Sequence, residues 1–235
     1  MRLSISLMIA CVALFAMGYV ERAIVAARQS FGTGREDEPP LPEGVVAVEW
    51  LESDGNQYVV IGETFGADYL SIEAEAEIIP QSGSRRLMGN GYWANNQDNF
   101  SINSVGWGGL SSFLCIIGQW VLIEFDRNNH ENLFVDGKFY GRSIKFFSNV
   151  DVNRVLVLFC CSNGSGPYRT SSGEFMPWIG RIGRVRISGS GEMIRDLIPV
   201  RVGEGEEAEG SFYDLVSGEF FGNGGTGKLG VGGDL

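Results

Sequence analysis

Three glutamates at alternate positions, Glu73, Glu75 and Glu77, are the residues of this sequence whose type and spacing are most typical of catalysis. Residues two apart on a β-strand point the same way, so three carboxylates would line one face. Two such carboxylates could act as nucleophile and acid in glycoside hydrolysis. The same alternation arises in an ordinary half-buried strand, with Ala74 and Ala76 towards the core and the glutamates towards water. We expect this second arrangement.

Aromatic and amide residues in loops form the stronger candidate for a binding site. Aromatic rings stack on the C–H faces of sugars, while amides and carboxylates bond to the hydroxyls. Two turn-rich segments, 92–99 (YWANNQDN) and 106–109 (GWGG), supply such side chains. The predicted ligand-binding residues are Tyr92, Trp93, Asn95, Asn96, Asp98 and Trp107. The alternative is that the two tryptophans close the ends of the core as apolar lids.

The other tryptophans are interpreted from their surroundings. Trp50 and Trp120 lie within strand-like patterns and are predicted to be core residues. Trp178, which follows a Met-Pro pair, fits either a core or a surface position, and so does Tyr168 in a Gly-rich loop.

Cysteine and histidine chemistry has little support in the sequence. The single histidine, His130, lies in a polar run typical of a hairpin loop, with no nucleophile suggested by spacing. Beyond Cys11 in the N-terminal apolar run, three cysteines remain, Cys115, Cys160 and Cys161. Cys115 could form a disulfide with one of the other two, or all three could be buried thiols, which we favour. Their spacing does not indicate a zinc site.

No cofactor is predicted, although calcium is left open. Asp98, Asp126 and Asn128 offer oxygen ligands in loops, but the spacing of an EF-hand is absent. The 29 acidic and 18 basic residues give a formal net charge of −11. A surface of that sign repels phosphate backbones and anionic lipids, so we do not expect nucleic acid as a partner.

The N-terminal segment has the pattern of a targeting signal. Residues 3–20 (LSISLMIACVALFAMGYV) are uncharged and apolar and follow Arg2, which is typical of a secretory signal or a membrane anchor. Residues 28–40 are polar and proline-containing and indicate a flexible linker. The sequence therefore predicts a signal peptide or anchor helix at 1–27, a linker at 28–40 and one domain at 41–235. Contact with a membrane is expected only through residues 1–27, if they are not cleaved.

The body of the chain is predicted to be all-β. Apolar runs of strand length alternate with turn residues, and no sustained helical period appears. The expected strands are 45–51, 57–61, 69–79, 100–105, 113–117, 120–126, 132–135, 138–140, 154–160, 178–187 and 194–202. Asp136–Gly137 between apolar flanks predicts a two-residue hairpin turn. The run 154–160 (RVLVLFC) is apolar on both faces and indicates an interior strand.

Several of these segments resemble a known superfamily. Residues 120–125 (WVLIEF) and 133–137 (LFVDG) resemble the central hairpin of concanavalin A-like and laminin-G-like domains. Residues 41–58 are similar to the opening "LPxGYxxVEYLESTGTQYI" of lectin-like domains in phage-associated and gut-bacterial proteins. Residues 194–201 (IRDLIPVR) and 212–227 (FYDLVSGEFFGNGGTG) look like the closing motifs of the same domains, and the second motif is interpreted as two strands around a turn at Ser217–Gly218.

The resemblance implies an antiparallel two-sheet jelly-roll sandwich and a binding function. We expect an exported, lectin-like module without catalytic activity, which is secreted, periplasmic or at the cell surface and whose partner is a glycan or a cell-surface or envelope protein. A structural or adhesive component of a surface or phage particle is the first alternative. A glycoside hydrolase using Glu73, Glu75 and Glu77 is the second, because sandwich glycosidases carry a similar Glu-x-Asp-x-Glu strand.

Overall fold

Fifteen strands form the regular structure of the described residues. The computed structural model describes residues 39–64, 70–78, 86–89, 101–103, 120–126, 132–142, 155–160, 178–189 and 191–235. The strands are β1 Val45–Ala47, β2 Leu51–Asp54, β3 Val59–Thr64, β4 Leu70–Ile78, β5 Arg86–Gly89, β6 Ser101–Asn103, β7 Trp120–Asp126, β8 Asn132–Val135, β9 Lys138–Arg142, β10 Val155–Leu158, β11 Ile179–Gly189, β12 Glu192–Val202, β13 Glu209–Asp214, β14 Phe220–Phe221 and β15 Gly230–Val231. A 3-10 helix, Gly205–Glu207, follows β12. In these residues no helix is long and apolar enough to cross a membrane.

The strands form two antiparallel sheets, as predicted. The large sheet has the order β14-β13-β12-β11-β4-β7-β8-β9, and it also includes β1 beside β12 and β2 between β11 and β15. The small sheet has the order β3-β10-β5-β6. Val59 in β3 bridges Asn223, just after β14, so the two sheets meet at that point. Pro39–Leu235 form one compact unit, consistent with a sandwich.

Apolar side chains from both sheets share one core. Ile72 and Ile123 from the large sheet and Ile61 and Leu156 from the small sheet are at most 1% exposed and belong to one cluster. In β10, Leu156, Val157 and Leu158 are all fully buried, and the strand pairs with β3 and β5. The predicted interior strand is therefore confirmed for its described residues.

The hairpin of β8 and β9 has the predicted turn. Val135 pairs with Lys138, and the two residues between them, Asp136 and Gly137, have φ values of 49° and 70°. Positive φ at both positions is the requirement of a type I′ turn. The Asp136 carboxylate also accepts a hydrogen bond of 2.9 Å from the backbone N–H of Leu122, which ties the turn to β7.

The predicted single strand at 45–51 is divided into β1 and β2. Val45–Ala47 pair with β12, whereas Leu51–Asp54 pair with β11. Between them, the Val48 N–H donates to the Pro199 carbonyl and the Glu49 N–H donates to the Gly233 carbonyl. The strand is interrupted because its neighbours change at this point. β1 and β2 together lie between β11 and β12 where those two strands diverge.

The opening motif at 41–58 and the closing motif at 212–227 contact each other. The Gly224 N–H donates to the Tyr58 carbonyl at 2.9 Å, and the Thr226 N–H donates to the Asn56 carbonyl at 3.1 Å. A Cβ atom added to Gly225 would lie 2.1 Å from the Asn56 carbonyl oxygen. The glycines are therefore required for this close approach of two backbones, which gives both motifs a structural role.

Two described strands were not predicted, and several predictions concern residues outside the description. Arg86–Gly89 and Gly230–Val231 are too short or too glycine-rich to give an apolar alternation. The predicted signal or anchor helix at 1–27, the linker up to residue 38 and the strand at 113–117 lie outside the described residues.

Candidate ligand-binding face

The glutamates of β4 lie on the side of the large sheet that faces away from the core. Ala74 and Ala76 are fully buried, whereas the side chains of Glu73 and Glu77 are 42% and 16% exposed. The predicted half-buried alternation is therefore confirmed. The side chains grouped on this side, called the outer face below, are Trp50, Glu52, Glu73, Glu75, Glu77, Trp120, Glu124, Arg181, Arg184, Arg186 and Asp196.

Arg181 connects three neighbouring strands of the outer face. Its Nε donates to Glu52 on β2 at 2.7 Å, and its Nη1 donates to Glu77 on β4 at 2.9 Å. The hydrogen bond to Glu52 contributes most to raising the pKa of Arg181 above its ordinary value, while partial burial opposes the shift. The guanidinium is therefore held as a cation in a fixed orientation between two carboxylates.

Trp50 lies against the same guanidinium. The Arg181 carbon Cζ is 4.2 Å from the centre of the Trp50 ring, a cation–π contact. Trp50 also packs at the end of β15, where a Cβ atom added to Gly232, the residue after this strand, would lie 2.9 Å from the indole. The absence of a side chain at Gly232 leaves room for the ring.

Trp120 occupies the other end of the same row. It pairs with Glu77 across β4 and β7, and the next residue along its strand, Val121, is 4% exposed and belongs to the core. Because side chains alternate along a strand, Trp120 lies on the outer face. Both Trp120 and Trp50 are partly exposed. The prediction that these two tryptophans are core residues is wrong.

Trp178 is the tryptophan that the structure places in the core. It is fully buried, and its ring stacks on that of Phe159 with the centres 6.2 Å apart. Pattern alone did not decide its position, because Trp178 is the first residue of the predicted strand and Gly180 and Gly183 interrupt the alternation that follows it. Tyr168, which was also left open, lies outside the described residues.

A second set of ion pairs continues across the outer face. Arg184 donates twice to Asp196, from Nε and Nη2, at 2.7 Å each. Arg186 lies 3.7 Å from both Glu73 and Asp196. Sequence reasoning missed the three arginines of β11. These arginines carry charges opposite to those of the β4 glutamates and recur at similar intervals. That complementarity is the signal that could have identified β11 and β4 as neighbouring strands.

A β-bulge shapes the middle of this face. On β11, Ile182 pairs with Ala76 and Val185 with Ala74, so Gly183 and Arg184 together oppose the single residue Glu75. A Cβ atom added to Gly183 would lie 2.7 Å from the Glu75 carboxylate. The bulge therefore brings the Glu75 side chain down onto the backbone.

Trp120, Glu77, Arg181 and Glu52 form one continuous row. Each is the direct cross-strand neighbour of the next, on β7, β4, β11 and β2. With strands about 4.8 Å apart, the row extends for about 14 Å. It presents an indole, two carboxylates and a guanidinium, so it can offer an apolar surface together with hydrogen-bond donors and acceptors.

Asp214 forms a different polar cluster, inside the protein. Its carboxylate is fully buried and accepts hydrogen bonds from the backbone of Asp196, Val216 and Ser217, from the Ser217 hydroxyl, and from Arg195. Burial by itself raises the pKa of Asp214, but the hydrogen bonds, led by that from Asp196, outweigh it and lower the pKa below its ordinary value. These donors fix the β13–β14 turn, which is a structural role.

The predicted loop site lies outside the description. Tyr92, Trp93, Asn95, Asn96, Asp98 and Trp107 all belong to undescribed segments, as do Asn128 and His130. Within the described ranges, no group of three or more His, Cys, Asp or Glu side chains is placed to hold a metal ion. Cys160 is a buried thiol, as favoured from the sequence, while Cys115 and Cys161 are not described.

The comparisons with known proteins show a likeness of structure. No family model matches this chain, and no curated protein matches it. Among solved structures, a proposed carbohydrate-binding protein from Bacteroides ovatus is similar, with 11% sequence identity and a TM-score of 0.48. The similar region covers 81% of this chain and 62% of that protein, so this chain spans less than two thirds of its length.

Proposed function

We propose that this chain is an exported, lectin-like binding module without catalytic activity, and that its outer face binds a glycan. The observation that carries the proposal is the row in which Arg181 bonds Glu52 and Glu77 between the rings of Trp50 and Trp120. Aromatic rings beside fixed polar groups are what a sugar requires, because a pyranose has both apolar C–H faces and hydroxyls.

The chemistry of the row suits hydroxyl groups. Carboxylate oxygens of Glu52 and Glu77 accept hydrogen bonds from hydroxyls, while the guanidinium of Arg181 donates to them. The ring of Trp120 supplies an apolar plane next to Glu77. Because the ion pairs already hold the charged side chains in place, little conformational entropy remains to be lost on binding. The length of the row is comparable to that of a short oligosaccharide.

The loop residues predicted from the sequence belong to the same proposal. They are Tyr92, Trp93, Asn95, Asn96, Asp98 and Trp107, and in this scheme they would provide further contacts to the ligand. A calcium ion is not required by the row, whose donors and acceptors are all side chains of the protein.

The partners of the β4 glutamates support binding over catalysis. The Glu77 carboxylate accepts a hydrogen bond from Arg181, and Glu73 lies 3.7 Å from Arg186. A glycosidase instead directs one carboxylic acid and one carboxylate at the scissile bond. If the chain were such an enzyme, it would hydrolyse a β-glucan in a reaction lost on Glu73→Gln or Glu77→Gln; no hydrolysis across a polysaccharide panel would remove that alternative.

The proposal also includes the type of sandwich fold and the export of the protein. We propose a concanavalin A-like, laminin-G-like jelly roll at 41–235, joined by the linker at 28–40 to a signal peptide or anchor at 1–27. What supports it is the set of sequence motifs, two of which meet at Asn56–Tyr58 and Gly224–Thr226. The apolar run at 3–20 supports export.

A glycan array with the full chain, kept in mild detergent because of its apolar N-terminus, tests the proposal. We expect binding to at least one glycan, weakened about tenfold or more by Trp120→Ala or Arg181→Gln. Two matched controls, Phe220→Ala and Arg201→Gln, change an exposed aromatic residue and an arginine ion pair elsewhere and should leave binding unchanged.

Two results would contradict this proposal. Silence across a broad array, above all with self-association of the purified chain, would favour a structural or adhesive component. Glycan binding that survives both row variants, in proteins whose unfolding curves match the wild type, would place the ligand somewhere other than the outer face.

A further inference from the structure

We infer that the outer face selects its glycan by charge, binding amine-bearing and neutral sugars in preference to uronates and sulfated sugars. This inference rests on the proposed function and names the ligand class of the same site. It follows from how the charges of the face are paired, not from the net charge of the chain.

The cations of the face are already engaged by carboxylates. Arg181 bonds Glu52 and Glu77 at 2.7 and 2.9 Å, and Arg184 bonds both oxygens of Asp196. An anionic sugar that approached either guanidinium would also meet the protein carboxylates already bound to it, and these repel a second negative charge. These arginines therefore orient acceptor oxygens and do not form an anion site.

The face also has more carboxylates than cations. Six carboxylates, those of Glu52, Glu73, Glu75, Glu77, Glu124 and Asp196, accompany the three guanidiniums of Arg181, Arg184 and Arg186, which is an excess of three negative charges. Glu73 and Glu124 are direct cross-strand neighbours. Like charges in that position repel each other, so a cationic group on a ligand would relieve the repulsion.

The size of the effect follows from the exposure of the site. Glu73 is 42% exposed and Arg181 33% exposed, so solvent screens the field of the face but does not remove it. At low salt the Debye length exceeds the distance between neighbouring strands, and at about 1 M salt it shrinks to about 3 Å. Selection by charge should therefore be strong at low ionic strength and weak at high ionic strength.

Matched oligosaccharides provide the test. Glucose-, galactose- and mannose-type oligosaccharides, each in neutral, 2-amino and uronate form, are titrated against the full chain at neutral pH by calorimetry. In the series that binds, we expect the uronate to bind about fivefold or more weakly than the neutral sugar, and the amino sugar more tightly, with the differences shrinking at about 1 M salt.

A charge variant tests the origin of the selection. Glu124→Gln removes one of the six carboxylates and should reduce the ratio of amino-sugar to uronate affinity about twofold, whereas Glu204→Gln, an exposed glutamate in the turn after β12, should leave that ratio unchanged. Uronates that bind as well as neutral sugars would overturn the inference while leaving glycan binding intact. Absence of binding by every sugar would overturn the proposed function and this inference with it.

Discussion

Replacing Asp214 with asparagine should remove one of the strongest local anchors of the fold. The Asp214 carboxylate is fully buried and has different donors on its two oxygens. Oδ1 accepts from the backbone N–H groups of Asp196 and Val216, at 2.9 and 3.1 Å. Oδ2 accepts from the N–H and hydroxyl of Ser217 and from Arg195 at 3.0 Å. In Asp214→Asn, the amide oxygen can keep the first pair of contacts only if the amide nitrogen faces the second set of donors.

The magnitude follows from these contacts. The Ser217 hydroxyl can rotate and accept from the new amide, so the losses are the Ser217 N–H bond and the charge-assisted bond from Arg195. A neutral hydrogen bond contributes about 1 kcal/mol and one to a charged group about 1.5–3 kcal/mol. We therefore expect the free energy of unfolding to fall by about 2–4 kcal/mol. Asp234→Asn is the matched control. The Asp234 side chain is 57% exposed, so its ion pair with Arg201 should contribute less than about 1 kcal/mol to stability.

The pH dependence separates the charge from the shape of this side chain. Since the folded protein lowers the pKa of Asp214, its contribution to stability is present above the unfolded pKa of about 3.9 and is lost as the pH falls through the folded value. The difference between wild type and Asp214→Asn, measured by urea denaturation with tryptophan fluorescence, should be largest near neutral pH and shrink towards about pH 2. A difference below about 1 kcal/mol at neutral pH, or one that does not change with pH, would refute this account.

The effects of two glycine substitutions can be predicted from the backbone geometry. Their common control is Gly62→Ala, because the added Cβ atom meets no neighbour within 4 Å. Gly225→Ala should lower the free energy of unfolding, measured by urea denaturation, by about 2–4 kcal/mol. The reason is that the new Cβ atom would lie 2.1 Å from the Asn56 carbonyl oxygen. A free energy of unfolding equal to that of the control would contradict this close approach. Gly137→Ala should lower the free energy of unfolding by about 1 kcal/mol. This cost comes from its φ of 70° alone, since nothing lies within 4 Å of the added Cβ atom. A larger loss of stability than that of Gly225→Ala would contradict this explanation.

Local chemistry explains the parts of the fold that the sequence predicts well. Asp136–Gly137 specifies its hairpin through backbone preferences of two adjacent residues, and β7 and β8 have the predicted bounds. The division between β1 and β2 could not be predicted, because it depends on which strands lie beside Val48 and Leu51. β15 escaped prediction for a related reason, since glycine carries no apolar pattern and Gly230 pairs only through its backbone.

In the candidate face too, features set by local sequence were predictable, whereas contacts between distant residues were not. The alternation of β4 correctly separated Ala74 and Ala76 from the glutamates. The tryptophans were misassigned because an apolar ring within a strand pattern does not reveal which side of the sheet it occupies. Arg181 lies 129 residues from Glu52 and 104 from Glu77, so the network is fixed by sheet topology and not by any local motif.

The position of β2 within the large sheet has a consequence for how the protein folds. Leu51 pairs with both Ile182 and Val231, so two of the pairings that complete this sheet join positions more than a hundred residues apart. Contacts of such long sequence separation have a high loop-closure entropy and form slowly, whereas a hairpin such as β8–β9 can close within microseconds. The β8–β9 hairpin is therefore expected to form early in folding, and β2, which lies between β11 and β15, is expected to join the sheet late. Until β2 is in place, the backbone edges of β11 and β15 remain open to pairing with other chains.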